Sequence, residues 1–223
     1  MSKKASYSTK INPKTGLPLL DEESKLSFQP KHGLIYWLIG KPVFLLSRLV
    51  FPSKVNGQNN IPQKSGVVIA SNHSASFNML TISTSARRKL FFLGKIELTR
   101  GWKGFFVNSV GTIPVDRARR NSESLDVAVQ ILKQGGAIVI FPEGKTNYSE
   151  TLAPFKFGAV AMAGRAGVPI IPTVIVGKYT PFRRKISITY GEPLRVDVNH
   201  LEEANEKLWY TINSMREKVR EEK

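Results

Sequence analysis

From residue 55 onward the chain alternates short apolar runs with segments of helical periodicity, and that alternation leaves few folds open. "GVVIAS" (66–71), "LFFLG" (90–94), "GTIPV" (111–115), "AIVIF" (137–141), "PIIPTVIV" (169–176) and "KISITY" (185–190) read as strands. Several are apolar on every residue. A strand wetted on one face alternates with period two, so continuous runs mark strands covered on both faces.

The intervening segments carry helix signals. "NSESLDVAVQILKQGG" offers Asn121 or Ser122 as N-cap, Leu125, Ala128, Val129 and Leu132 on one face, and Gly135 at a left-handed C-cap. "PFKFGAVAMAGRAGVP" is rich in small residues, which permits close approach to a sheet, and stops at Gly167. The tail from Leu201 puts Leu208, Ile212, Met215 and Val219 on one stripe. The expected class is α/β, with a mixed, largely parallel sheet flanked by helices. Three parts are expected: a polar basic segment (1–32), amphipathic membrane-associated helices (33–54) and an α/β domain (55–223).

Charge narrows the partner. The chain has 33 Lys+Arg against 17 Asp+Glu, and residues 1–120 hold 19 of the basic and 5 of the acidic residues. A field this lopsided calls for a polyanion, either nucleic acid or an anionic membrane surface. No recognised nucleic-acid motif is present, and the aromatics near basic residues sit in apolar runs, which favours anionic membrane lipids over nucleic acid; a solvated basic face with no specific partner is the alternative. With no cysteine, disulfide and thiolate chemistry are excluded and a reducing compartment is expected. The polar N-terminal residues do not read as a cleaved secretory signal. In "GLIYWLIGKPVFLLSRLVFP" (33–52), Lys41, Pro42 and Arg48 interrupt a stretch otherwise near membrane-spanning length. Two short interfacial helices broken near Gly40-Lys41-Pro42 fit it, as does a helix pair packed on the domain.

Three polar clusters follow apolar runs directly: "SNHSASFN", "VDR" and "FPEGKTNYS". In open α/β sheets reacting groups gather at such strand ends. "ASNHSASFN" (70–78) resembles the Asn-His-x4-Asp motif of the 1-acyl-sn-glycerol-3-phosphate acyltransferase family, membrane-associated enzymes of phospholipid synthesis. "LGKIEL" with "GTIPVDR" resembles that family's second motif, "FPEGKTN" its Phe-Pro-Glu-Gly-Thr-Arg-Ser motif and "VPIIPTVI" its fourth. The resemblance runs from about Val55 to Pro193.

The resemblance implies His73 as the base that deprotonates the glycerol 2-hydroxyl while it attacks an acyl thioester. Position 78 would hold the histidine's partner. Lys95, Gly111, Arg117, Glu143, Gly144 and Lys145 occupy the substrate-binding places. Arg117 fits phosphate through its planar fork; the alternative is a surface corner in which Asp116 pairs with Arg119 or Arg120. The implied partners are lysophosphatidic acid and an acyl-CoA or acyl-carrier protein co-substrate, with no other cofactor. The implied location is the cytoplasmic face of a membrane, peripheral or monotopic. No metal is expected, because His32, His73 and His200 lie far apart in sequence.

Two residues depart from the family pattern. Thr146 stands where an arginine is expected, with Lys145 the nearest cation, and Asn78 stands where the family has aspartate. Residues five apart lie about 140° apart on a helix, so a strand-to-helix corner must join positions 73 and 78. An amide there brings no negative charge to steady an imidazolium, and weakened catalysis is expected. Three accounts stand: an introduced change, a natural one with charge supplied nearby, or a non-catalytic phospholipid-binding relative. A glycerol-3-phosphate or lysophospholipid acyltransferase is the rival within enzymes.

Overall fold

The computed structural model describes residue 38, residues 41–95, residues 112–115 and residues 122–222. Helix α1 (Lys41–Val50) leads into β1 (Ser53–Asn56), a 3-10 turn (Gln58–Asn60) and β2 (Val67–Ser71). Then come α2 (Asn78–Ser85), β3 (Phe91–Lys95), β4 (Thr112–Val115), α3 (Ser122–Lys133), β5 (Ala137–Ile140) and α4 (Gly158–Ala166). Strands β6 (Ile170–Gly177) and β7 (Ile186–Tyr190) and helix α5 (Leu201–Glu221) complete the chain.

The strands form one seven-stranded sheet in the order β1-β7-β6-β2-β5-β3-β4. Strands β6, β2, β5, β3 and β4 run parallel, β7 runs antiparallel to β6, and β1 pairs parallel with β7. The mixed, largely parallel α/β sheet expected from the sequence forms. It begins at Ser53, inside the stretch assigned to membrane helices.

Strand β2 lies at the centre. Val67 and Ile69 point to one face and Val68 and Ala70 to the other, all fully buried. Helices α3, α4 and α5 cover the second face, packing Leu132, Met162, Leu208 and Ile212 against it. Ile82 and Ala86, at α2 and its end, cover the first. This two-sided burial is the reason the strands carry continuous apolar runs. Gly135 (φ +83°) and Gly167 (φ +67°) follow α3 and α4 in the left-handed conformation that glycine adopts without steric cost.

Helix α1 packs on α2, with Ser47 lining a shared cleft beside Leu80, Thr81 and Thr84, and leaves Val43, Leu45, Leu46 and Leu49 exposed. Apart from Leu38, the first of the two expected interfacial helices lies outside the described residues. No helix among the described residues is long and apolar enough to cross a membrane. At α2, Phe77 holds the cap position with helical backbone and no side-chain bond. A tight turn, Asn78 N–H to Ala75 O (3.1 Å), leads the chain into the helix instead.

On α5, Leu208, Ile212 and Val219 are buried as the stripe predicts, together with Asn205 and Arg216. Met215 is only partly buried and lies against Gly191. Leu208→Ala is expected to cost about 3 kcal/mol in stability, the usual penalty for a cavity in a closed core. Tyr210→Ala, one helical face away and 66% exposed, should cost under about 0.5 kcal/mol. Urea unfolding followed by circular dichroism compares the two.

Candidate active site

Strand β2 stops at Ser71, and the next two residues build the corner. Asn72 is 3% exposed, and its side chain takes the place of a strand residue. Oδ1 accepts from the Ile175 N–H (2.8 Å), and Nδ2 donates to the Ile175 carbonyl (3.0 Å). A carboxamide carries the same donor and acceptor as a peptide group. The β2–β6 ladder therefore gains one more rung while the main chain leaves the sheet. Nothing in the period of the sequence marks this task. Its signals are an asparagine directly after a buried strand and that residue's place at the head of the Asn-His-x4-Asp resemblance.

His73 is gripped on both sides by the loop that follows β5. Its N–H donates to Glu143 Oε1 (3.0 Å), and its carbonyl accepts from the Asn147 N–H (2.7 Å). The half-buried ring stacks on Phe141, with centroids 4.0 Å apart and planes at 18°. Glu143 is 5% exposed. Its Oε2 accepts from Asn147 Nδ2 (2.6 Å) and the Ala153 N–H (3.1 Å). The resemblance implies a substrate contact for Glu143; the structure turns its carboxylate toward these three protein donors. It fastens the end of β2 to the loop leaving β5.

Gly144 turns this loop with φ +76°. A Cβ there would lie 2.9–3.1 Å from Cε, Nζ and Cδ of Lys156, so glycine both permits the turn and makes room for that side chain. Lys145 and Lys156 are both exposed, bringing two cations to the turn. The sequence reading passed over Lys156, whose approach to Gly144 comes from the loop folding back twelve residues later.

Asn78 is fully buried at the first residue of α2. Its Nδ2 donates to the Asn72 carbonyl (3.3 Å) and Ser74 Oγ (3.4 Å), and its Oδ1 accepts from the Tyr179 hydroxyl (3.0 Å). The Tyr179 hydroxyl also bonds Thr81 Oγ1 (2.8 Å). Burial pushes the Tyr179 phenol up to about 12, outweighing the opposing effect of the Thr81 bond. The phenol is thus a neutral donor at ordinary pH. The corner does bring positions 73 and 78 onto one turn, yet the carboxamide bonds Asn72, Ser74 and Tyr179 rather than the imidazole. Those partners suit an amide: an acceptor faces the NH2 group and a donor faces the oxygen.

Lys95 ends β3 in register with Val115, the last residue of β4. These strands run parallel to β2 and β5, so all four end along one edge of the sheet. The Lys95 side chain, Gly111 and Arg117 lie outside the described residues. Among the described residues no three His, Asp or Glu side chains converge as a metal would require.

Helix α5 braces the loop from outside. Asn205 Nδ2 donates to Phe155 O (3.1 Å), Trp209 Nε1 to Ala153 O (3.2 Å), and Arg216 Nη2 to Ser149 O (3.2 Å). Arg216 is 6% exposed. From the apolar stripe its guanidinium reaches one carbonyl of the loop, that of Ser149.

Residues 52–176 match the Acyltransferase family model. The 1-acyl-sn-glycerol-3-phosphate acyltransferase of Bacillus subtilis is 31% identical over 175 residues, covering 75% of this chain and 86% of that protein. The alpha form of the same-named enzyme in Mus musculus is 32% identical over 152 residues, 66% of this chain and 53% of that one. The crystal structure of the Thermotoga maritima 1-acyl-sn-glycerophosphate acyltransferase PlsC superposes with a TM-score of 0.66 at 24% identity. It covers 82% of this chain and 77% of that one, and shares the fold. With more than half of its length inside the family's model and its histidine and glutamate loops joined at one sheet edge, the chain belongs to the acyltransferase family, among relatives named 1-acyl-sn-glycerol-3-phosphate acyltransferases.

Proposed function

We propose that this chain transfers an acyl group from a thioester, acyl-CoA or acyl-carrier protein, to the 2-hydroxyl of 1-acyl-sn-glycerol 3-phosphate, forming phosphatidic acid. The imidazole of His73 takes the hydroxyl proton as the oxygen attacks the thioester carbonyl. The new C–O bond forms, the C–S bond breaks, and the imidazolium returns its proton to the departing thiolate. The thioester supplies the driving force, so neither metal nor redox cofactor enters the scheme. Lys95, Arg117, Lys145 and Lys156 are the cations proposed to hold the phosphate, and Gly111 and Gly144 allow it close approach. The membrane role of the basic N-terminal half is part of the same reading, with the chain on the cytoplasmic face.

One observation carries the proposal. The peptide of His73 is pinned at both its N–H and its carbonyl to the Glu143–Asn147 loop, and the ring is stacked on Phe141. A base held this firmly has little orientation left to lose on reaching the transition state. Glu143 is a positioning residue in this scheme.

Asn78 sets the rate. The imidazolium formed during attack has no carboxylate at position 78, and loss of such a charge beside a catalytic histidine costs about 10^4 in a serine protease. Turnover slower than in an aspartate-bearing relative follows. The fit of the Asn78 amide to its partners also favours a second reading, a phospholipid binder without turnover.

Acyl transfer to 1-acyl-sn-glycerol 3-phosphate, followed by release of free thiol, tests the scheme. His73→Ala is expected to abolish the rate, and no activity in the unaltered chain would leave the binder reading in its place. Asn78→Asp is expected to raise turnover at least about tenfold while lowering stability by about 1–3 kcal/mol, because a carboxylate oxygen would then face the Asn72 carbonyl. Equal rates in both proteins would dismiss the missing charge as limiting. A panel of glycerol 3-phosphate and lysophospholipid acceptors separates the rival enzymes.

Glu143→Gln tests the positioning role. A glutamine must turn its NH2 toward one of the three donors, leaving a buried donor unmet, at about 1–3 kcal/mol. The rate should fall through kcat with KM little changed, whereas a substrate contact would raise KM.

A further inference from the structure

The turn joining β6 to β7, "KYTPFRRK" (178–185), has features that no packing among the described residues explains. Phe182 is 74% exposed and holds φ +57°, a left-handed conformation rarely occupied by bulky residues. Its N–H donates to the carbonyl of Val50 (2.6 Å), the last residue of α1, so turn and helix form one surface. That helix exposes Leu45 (72%), Leu46 (59%) and Leu49 (68%). Lys178, Arg183, Arg184 and Lys185 are exposed around Phe182. Among the described residues no carboxylate pairs with Lys178, Arg183 or Arg184.

We propose that the β6–β7 turn is a second membrane contact, in which Phe182 enters the headgroup region and the flanking cations meet the phosphates of anionic phospholipids. The inference rests on the lipid-enzyme reading above and adds a site to it. Membrane binding of an amphipathic helix scales with its buried apolar area plus its attraction to anionic lipids, so a polybasic patch beside it is a second binding signal. The turn supplies that signal where the helix ends. Charge decides the occupant: a cluster of cations around a protruding aromatic ring, beside exposed leucines, complements a negatively charged bilayer surface.

The contact also orients the site. Beneath the turn, Tyr179 packs on Phe51 and Phe77, with ring centroids 5.7 and 5.5 Å apart, and its hydroxyl reaches Asn78. Seating the turn on a bilayer therefore fixes the corner that bears His73 relative to the lipid surface.

Flotation of the full chain with phosphatidylcholine vesicles, with and without phosphatidylglycerol, tests the proposal. Circular dichroism and transfer to a short-chain, vesicle-free acceptor serve as controls. Arg183→Gln/Arg184→Gln is expected to weaken partition onto phosphatidylglycerol vesicles by about 20-fold, to flatten its salt dependence, and to leave the short-chain rate unchanged. Phe182→Ser should weaken partition onto both vesicle types. Unchanged flotation of these variants would overturn the second contact while the enzyme reading stands. Failure of the short-chain reaction in the unaltered chain would instead strike the enzyme reading, with flotation still deciding the contact. Loss of a dimer or of duplex binding in the double variant, with flotation intact, would reassign the turn to a protein or nucleic-acid partner.

Discussion

The buried carboxylate of Glu143 accepts from the His73 N–H, from the Asn147 amide and from the Ala153 N–H. A charge this deep is tolerable only when such donors surround it. The dependence runs both ways. The corner after β2 and the loop after β5 come from strands that are sheet neighbours yet lie some seventy residues apart in sequence. Strand pairing brings their ends close, but leaves the direction of each departing chain open. The carboxylate removes that freedom, and the position of the imidazole is then a property of the whole sheet edge.

Helix α5 adds a second restraint to the same loop. Its buried row of Asn205, Leu208, Ile212, Arg216 and Val219 mixes two functions on one stripe. The leucine, isoleucine and valine dock the helix on the sheet, and the polar members, with Trp209, donate to carbonyls between Ser149 and Phe155. The candidate site thus stands between two layers, with the sheet fixing the start of the loop and the terminal helix fixing its return.

Much of this was legible in the residues. Continuous apolar runs identified the buried strands, and Gly135 and Gly167 marked the helix ends, because burial on two faces and left-handed backbone each leave a direct trace in residue type. Strand β1, "SKVN", escaped because four mixed residues on an outer strand carry no period. Arg216 escaped because hydrophobic periodicity does not anticipate a cation that donates to a carbonyl elsewhere. Positions 73 and 78 were expected to meet across a corner, and a corner exists. That the Asn78 amide would bond Tyr179, about a hundred residues away, was beyond any local pattern. Contacts of that span depend on sheet order, which sets β6 beside β2.

The carboxamide of Asn72 has a consequence for assembly. Because a side chain supplies the final rung between β2 and β6, only one alignment of the two strands puts an amide opposite Ile175. Sliding β2 by two residues would preserve its inward and outward faces, and hydrophobic burial alone would scarcely distinguish the slipped pairing. A slip that draws β2 back by two residues would leave the Ile175 N–H and carbonyl unanswered in a dry interior. Asn72 therefore acts as an alignment key, rejecting misthreaded sheets before a histidine can be presented at all.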